Sequence, residues 1–379
     1  MNGFSRSVGR AGAPLHCAAH SHHPWPDVSC DAHLAAWDDA ARMLDRKWDH
    51  VFDTVIPKAQ AHVARQLNLP DPTSVTFGPN THGFVLRLLS CLPAHRPARI
   101  LTTGSEFLSF ARQIARLEED RLVQVTRIPT EPFDTFEARF AEAAREGSHD
   151  LVFLSQVFFD SGFRLNALAE IVNAVPEAET LIAVDGYHGF MAVPTDFSAL
   201  AGRAFYLAGG YKFAMSGENA CFLHCPPGYG PRPRDTGWYA GFSALGSGGG
   251  TAYAKDGSRF LGSTFDVSGL YRFNAVQDWL TREDMSVAKM LEYGRGIEGA
   301  FLAALGDGTA RVRASQSIVP DANRRGRFLA FRTKDAGAIA AELNGRDVIV
   351  DHRGDRLRIG FGIYHAENDA MRMAEALAF

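Results

Sequence analysis

The sequence predicts an α/β protein: a large domain on a mostly parallel seven-stranded sheet, followed by a smaller α/β domain. Three observations carry this. Short apolar runs of strand character recur at 75–77, 100–103, 122–128, 151–155, 181–185, 204–208 and 220–224. Helical patterns fall between most of them, at 82–92, 107–117, 135–145 and 168–175. Strands alternating with helices read as a parallel sheet covered on both faces. After a Pro- and Gly-rich stretch at 226–250, shorter strand and helix patterns return at 327–332, 336–343, 348–350, 357–361 and 367–377.

In chain order, residues 1–14 hold arginines but no apolar run long enough for a signal sequence. His16, His20, His22 and His23 fall within eight positions, beside Pro24 and Pro26. The prolines forbid sustained helical spacing, so an extended loop entering an active site is expected there rather than a metal site. From 31 to 68 the pattern is helical with a break near Pro57; Trp37, Leu44, Trp48, Val63 and Leu67 recur at helical spacing and are expected in the core. The last two strands of the series are joined by a short segment, which allows one of them to run antiparallel. The 226–250 stretch, ending in Gly246-Ser247-Gly248-Gly249-Gly250, reads as a mobile loop or a boundary. A helical segment follows from about Leu270. The expected division is an N-terminal segment at 1–45 serving the small domain and the active-site mouth, a large domain at 46–268 and a small domain at 269–379.

Bulk properties narrow the function. Of 379 residues, 46% are hydrophobic, enough for a large core and more than one lobe. Lysine and arginine total 39 against 43 acids, a formal net charge of −4, so there is no general basic footprint for nucleic acid. Five irregularly spaced cysteines do not make a disulfide framework, and Cys221 and Cys225 lack two further ligands for zinc. No apolar stretch approaches a membrane span. A cytoplasmic protein is the expectation.

The chemistry concentrates in two stretches of one form. Leu181-Ile182-Ala183-Val184-Asp185 ends an apolar strand in a carboxylate; Phe205-Tyr206-Leu207-Ala208-Gly209-Gly210-Tyr211-Lys212 ends another in two glycines and a lysine. An amine held against apolar surface loses hydration, its pKa falls, and it becomes a nucleophile or Schiff-base former. With an aspartate beyond the neighbouring strand, the pair suggests a pyridoxal 5'-phosphate site: Lys212 for the aldehyde and then the α-proton, Asp185 for the ring nitrogen. Phe77-Gly78-Pro79-Asn80-Thr81-His82 puts a glycine turn and a helix start after the first strand, where backbone N–H groups and the Thr81 hydroxyl can receive a phosphate. Arg358, on an alternating strand, can grip a carboxylate in bidentate fashion, with Arg356 as its rival on the same face.

These segments resemble pyridoxal phosphate enzymes of fold type I, in the class V aminotransferase group, and within it kynureninase. Asp185-Gly186-Tyr187-His188 is similar to that enzyme's Asp-x-x-His, and Tyr211-Lys212 to its Tyr-Lys. Gly237-Trp238-Tyr239 is similar to Gly-Trp-Trp, whose first tryptophan reaches the phosphate. Arg259 to Thr264 resembles a stretch reaching the phosphate of the neighbouring subunit, which implies a homodimer. Phe107 falls where the family stacks a ring on the cofactor, and Arg325-Gly326 and Leu357 to Phe361 match tail motifs. The resemblance thus implies His188 and Tyr211 as catalytic and cofactor-binding groups beside Lys212 and Asp185. It also implies Asn80, Thr81, Phe107, Trp238 and Thr264 on the cofactor, and Arg358 and Ser21 on the amino acid substrate.

Two stretches depart from the family. Val157-Phe158-Phe159-Asp160-Ser161-Gly162 lacks the family's asparagine and has an acid in place of a base, and His20-Ser21-His22-His23 replaces Gly-Asn-Ser-Leu-Gly. The preferred activity is a kynureninase-like hydrolase or lyase. A class V aminotransferase, a non-catalytic binding protein and a metal protein using His16 to His23 remain open. No cysteine follows Cys225, which argues against persulfide chemistry of the desulfurase kind.

Overall fold

The computed structural model describes residues 3–228, 231–244, 251–308 and 310–378. Twelve strands form among them: β1 Leu15–His16, β2 Val75–Gly78, β3 Ala98–Thr103, β4 Val123–Ile128, β5 Leu151–Ser155, β6 Leu181–Asp185, β7 Phe205–Ala208, β8 Cys221–His224, β9 Leu329–Arg332, β10 Val348–Ile349, β11 Asp351–Arg353 and β12 Arg356–Ile359. The central sheet has the order β2-β8-β7-β6-β5-β3-β4. β3 to β7 run parallel, and β8 is antiparallel to both neighbours. The short β7–β8 return makes that reversal, as the sequence allows. All seven expected strands form, and the four expected helices appear as Thr81–Ser90, Leu108–Glu119, Phe133–Glu146 and Leu168–Ala174. β5 to β8 are buried along their whole lengths, which is why they read as continuous apolar runs.

A second apolar cluster gathers Ile297, Phe301, Leu329, Phe331, Leu357, Ile359 and Met373 around the three-stranded sheet β11-β12-β9. The N-terminal segment joins it: β1 pairs in parallel with β10, and Leu15 and Cys17 are buried in that cluster. The Ser268–Arg282 helix instead packs Leu270, Phe273, Val276 and Trp279 into the large cluster. Among the described residues, no helix is long and apolar enough to cross a membrane.

Two expectations are corrected. The helical stretch breaks first at Leu44, whose φ of 54° stops the Asp27–Met43 helix, and again in a π-helical turn, Val51–Val55, ahead of Pro57. The proline has no N–H to return to the preceding turn, and the π turn absorbs the mismatch. Trp37 and Leu44 are not core residues; each is 70% exposed in the single chain. Helical periodicity marks an apolar face but does not say what covers it. Val63 and Leu67 are buried as expected. The glycine run at 246–250 lies outside the described residues.

Candidate active site

Asp185 closes β6 and Lys212 follows β7 by four residues, so both stand beyond the carboxyl edge of the sheet, where parallel sheets hold ligands. The two glycines before the lysine are required by close approach. A Cβ on Gly209 would lie 2.3 Å from the Tyr187 hydroxyl and 2.5 Å from Cys221 Sγ, and one on Gly210 would lie 2.5 Å from Ser216 Oγ. Only a bare backbone lets this loop turn the lysine back over the sheet edge.

Lys212 is 4% exposed. Its Nζ lies 3.4 Å from His188 Nδ1 and faces the rings of Tyr187, Phe107 and Tyr211 at 4.3, 5.1 and 5.3 Å. Burial brings its pKa down to about 7; Asp185 opposes the fall and Arg358 adds to it. Burial likewise pushes the Asp185 carboxyl up, against the Tyr187 N–H donated to its Oδ1 at 2.8 Å and the charge of Lys212. His188 is held well below its usual range by burial and then by Lys212 and Arg358, so it is neutral. Tyr211, stacked on His22 at 5.1 Å and tilted against Tyr187 at 4.9 Å, is pushed up to about 12, mainly by burial.

The structure adds a buried acid that sequence reasoning missed. Glu106, just before Phe107, accepts hydrogen bonds from Ser155 Oγ at 2.6 Å and Thr103 Oγ1 at 2.7 Å. Burial outweighs those bonds, and with Asp185 nearby its pKa rises to about 8. In Thr103-Gly-Ser-Glu106 it looks like an ordinary turn residue; only the meeting of the ends of β3 and β5 buries it.

On the small-lobe side, Arg358 is buried with every nitrogen engaged. Nε donates to Asp351 Oδ1 at 2.8 Å, Nη2 to Asp351 Oδ2, and Nη1 to the Phe159 carbonyl. Burial alone would push Asp351 up, but His20 and Arg358 hold it well below the usual carboxylate range. His20, brought to about 4 chiefly by burial, is neutral; its Nε2 lies 3.1 Å from Asp351 Oδ1 and its ring stacks on Phe328 at 4.6 Å. Arg356 meets Asp160 at 2.6 Å and Glu131 at 2.9 Å. The fork expected to receive a substrate carboxylate is therefore already filled by Asp351, a residue just beyond the strand expected at 348–350.

The remaining expected residues divide. Asn80 caps the Thr81–Ser90 helix through Oδ1, which accepts from Gly83 N at 2.9 Å, leaving Thr81 at its first position. Phe107 is half-buried and meets Phe159 edge-on at 5.5 Å. Ser21 follows buried His20 and is half-buried. Trp238 is exposed, its ring contacts being Tyr239 and Phe242. Thr264 is exposed beside Trp37, Trp48 and Tyr271, on the lining of a separate surface cavity. The histidines of the N-terminal loop disperse: His16 Nδ1 pairs with the Tyr364 hydroxyl at 2.7 Å, His23 Nδ1 lies 2.8 Å from the Pro24 carbonyl, and His22 stays on Tyr211. Among the described residues, no three His, Cys, Asp or Glu side chains converge as metal ligands.

The fold recurs in solved structures over nearly the whole chain. A variant of C-DES with glycine covalently linked to its PLP cofactor superposes with a TM-score of 0.83 at 18% identity, covering 99% of this chain and 98% of that one. The fold is that of the type I pyridoxal phosphate enzymes. The cystine C–S lyase C-DES with its product cysteine persulfide matches at 0.80 and 18% identity, covering 98% of each chain. The cysteine desulfurase CsdA from Escherichia coli matches this type I fold at 0.77 and 15%, covering 98% and 96%. The kynureninase C-terminal domain family model matches residues 300–377. A search of curated proteins by sequence found no match.

Proposed function

We propose that this chain is a pyridoxal phosphate enzyme that acts on an α-amino acid and breaks a bond of its side chain, as a kynureninase-like lyase or hydrolase. One observation carries the reading: a buried lysine with a pKa of about 7 shares the carboxyl edge of a type I sheet with a buried aspartate. The donor set suits the cofactor. Lys212 offers an amine, Asp185 a carboxylate for a ring nitrogen, and the Thr81–Ser90 helix start offers N–H groups for a phosphate. Phe107 supplies a ring face and His188 a ring nitrogen beside the amine. When bound, the cofactor provides an electron sink for charge developing at the substrate α-carbon.

The protein's own groups do the rest. With its pKa brought by burial to about 7, Lys212 has a neutral amine within reach near neutral pH; it would hold the aldehyde of the cofactor and could accept a substrate α-proton at Nζ. Asp185 keeps negative charge where the ring nitrogen would sit, and a cationic partner there would bring its raised pKa back down. Phe107, Phe159, Tyr187 and Phe328 exclude water from the amine and the arginine, which strengthens each electrostatic contact.

Side-chain cleavage is supported by the neighbours, which include a C–S lyase and a cysteine desulfurase, and by the kynureninase model over residues 300–377. A homodimer is part of the proposal, with the exposed Trp37, Leu44 and Thr264 on its interface. Sedimentation showing only monomer at micromolar concentration would remove that part. The central test is spectroscopic: purified protein should carry the absorbance of a lysine-bound cofactor, and Lys212→Ala should lose it together with turnover. Amino acids that perturb the band should release a side-chain fragment. Stoichiometric pyridoxamine phosphate with a keto acid would instead identify an aminotransferase.

A further inference from the structure

A buried acid is costly to keep, and Glu106 is 2% exposed. Both of its carboxyl oxygens are engaged. Oε1 accepts from the Thr103 hydroxyl at 2.7 Å and, at 3.3 Å, from Ser155 N; Oε2 meets the Ser155 hydroxyl at 2.6 Å. The Thr103 oxygen already accepts from Ser105 N at 3.1 Å, which leaves its proton for the carboxyl.

The position of this clamp decides what it does. The β3–β5 ladder pairs Ile100 with Leu151 and Leu101 with Val152, short of Thr103 and Ser155. The carboxyl therefore spans two strand ends beyond their backbone pairing. On its other side Ser155 stands opposite Asp185 in the β5–β6 register, and Gln156 N donates to the Asp185 carbonyl at 2.8 Å. The strand end gripped by Glu106 is thus the one locked to Asp185. Phe107 comes next in the chain. Its carbonyl accepts from Phe110 N and Ala111 N at 3.0 and 3.1 Å, opening the Leu108–Glu119 helix. Its ring stands 5.1 Å from Lys212 Nζ and meets Phe159 edge-on at 5.5 Å. Ser105 ties the same turn outward to Thr130, at 3.0 Å; Glu106 ties it inward, to the strand beside Asp185.

We propose that Glu106 is a positioning residue, which clamps the 103–107 turn to the end of β5 and so sets the Phe107 ring against the Lys212 amine. This deepens the cofactor reading above and rests on it in part, because that ring is the face that would meet the cofactor. Burial outweighs the hydrogen bonds and raises the Glu106 pKa to about 8, so near neutral pH it holds a proton. With Thr103 donating to Oε1, that proton lies on Oε2 and goes to Ser155 Oγ. A glutamine amide can make the same bonds, whereas alanine makes none. A ring held in this way is pre-organised by the hydrogen bonds behind it.

Two measurements test the clamp. The first needs no cofactor. Competitive acetylation of Lys212 by acetic anhydride, mapped by mass spectrometry across pH, should show a midpoint near 7 in wild type and in E106Q. In E106A and F107A water reaches the amine, and the midpoint should rise by about one pH unit. The second is the affinity for pyridoxal 5'-phosphate, titrated by absorbance. E106A and F107A should each bind about tenfold weaker, E106Q within about threefold of wild type, and E106A/F107A no weaker than F107A alone. Should E106A fail to fold, T103V removes one donor and should move both readouts the same way by less. Wild-type behaviour of E106A overturns the proposal. So does an E106Q that behaves like E106A, or a double variant weakened by the product of the two single losses. A folded wild type that takes up no pyridoxal 5'-phosphate removes the cofactor reading instead, and the Lys212 midpoints then decide this inference alone.

Discussion

The two sides of the site handle charge in opposite ways. At the large-sheet edge, Lys212, Asp185 and Glu106 are buried with few countercharges, and each is moved toward its neutral form. Across from them, on the small sheet, Arg332, Arg356 and Arg358 face acids at hydrogen-bond distance and Asp351 stays ionised. The first arrangement brings the protons of Lys212 and Glu106 within exchange near neutral pH; the second keeps charges permanent. An active site needs both: a group that can change state, and a fixed field that orients what arrives.

The comparison can be broken from either side. The largest effect is expected from Asp185→Asn, which removes the negative charge from the exchangeable half. Turnover should fall on the order of a thousandfold, while the melting transition stays near that of wild type. A variant as active as wild type would mean that Asp185 merely caps the strand. On the permanent half, Asp351→Ala leaves Arg358 buried without its anion and should cost about 3 kcal/mol in denaturant unfolding. A change within about 0.5 kcal/mol would show that the pair is solvated.

The smallest effect per step of the measurement, a slope with pH, sharpens the contrast. The Lys212 pKa in the folded chain, about 7, lies below the ordinary value of 10.5. Between those values the unfolded chain binds the extra proton, so this group's contribution to cofactor-free stability rises with pH from about 7 to 10.5 and is lost as pH falls through that window. The stability of wild type relative to Lys212→Met should therefore climb with pH there, by up to about 1.4 kcal/mol per pH unit. A flat difference would place the amine in water.

Much of the exchangeable half was legible because its signals are local. Strand-long apolar runs ending in Asp185 and in Gly209-Gly210-Tyr211-Lys212 mark sheet edge, close approach and nucleophile within a few residues of each other. Of the permanent half only Arg356 and Arg358 were legible; the acids that hold them were not, because that pairing lies in cross-strand register and in loops from the other lobe. Asp351 and Arg353 fall outside the strands expected at 348–350 and 357–361, and only the pairing of β11 with β12 sets them beside Arg356 and Arg358. Glu106 was hidden for a related reason: the ends of two strands converge to bury it. Trp37 and Leu44 show the converse failure, since a helical stripe of apolar residues reports a sticky face without saying what covers it.

The N-terminal strand has a mechanical consequence. Residues 15–18 are stitched to the small lobe through β10 and the Ala18–Gly360 bridge, and five residues further on His23 N is anchored to the Tyr211 carbonyl at 3.0 Å. This short strap ties the small lobe to the turn that presents the lysine. A hinge rotation of one lobe would pull on the other through a tether of a few peptide units, and His20 and His22 would travel with it.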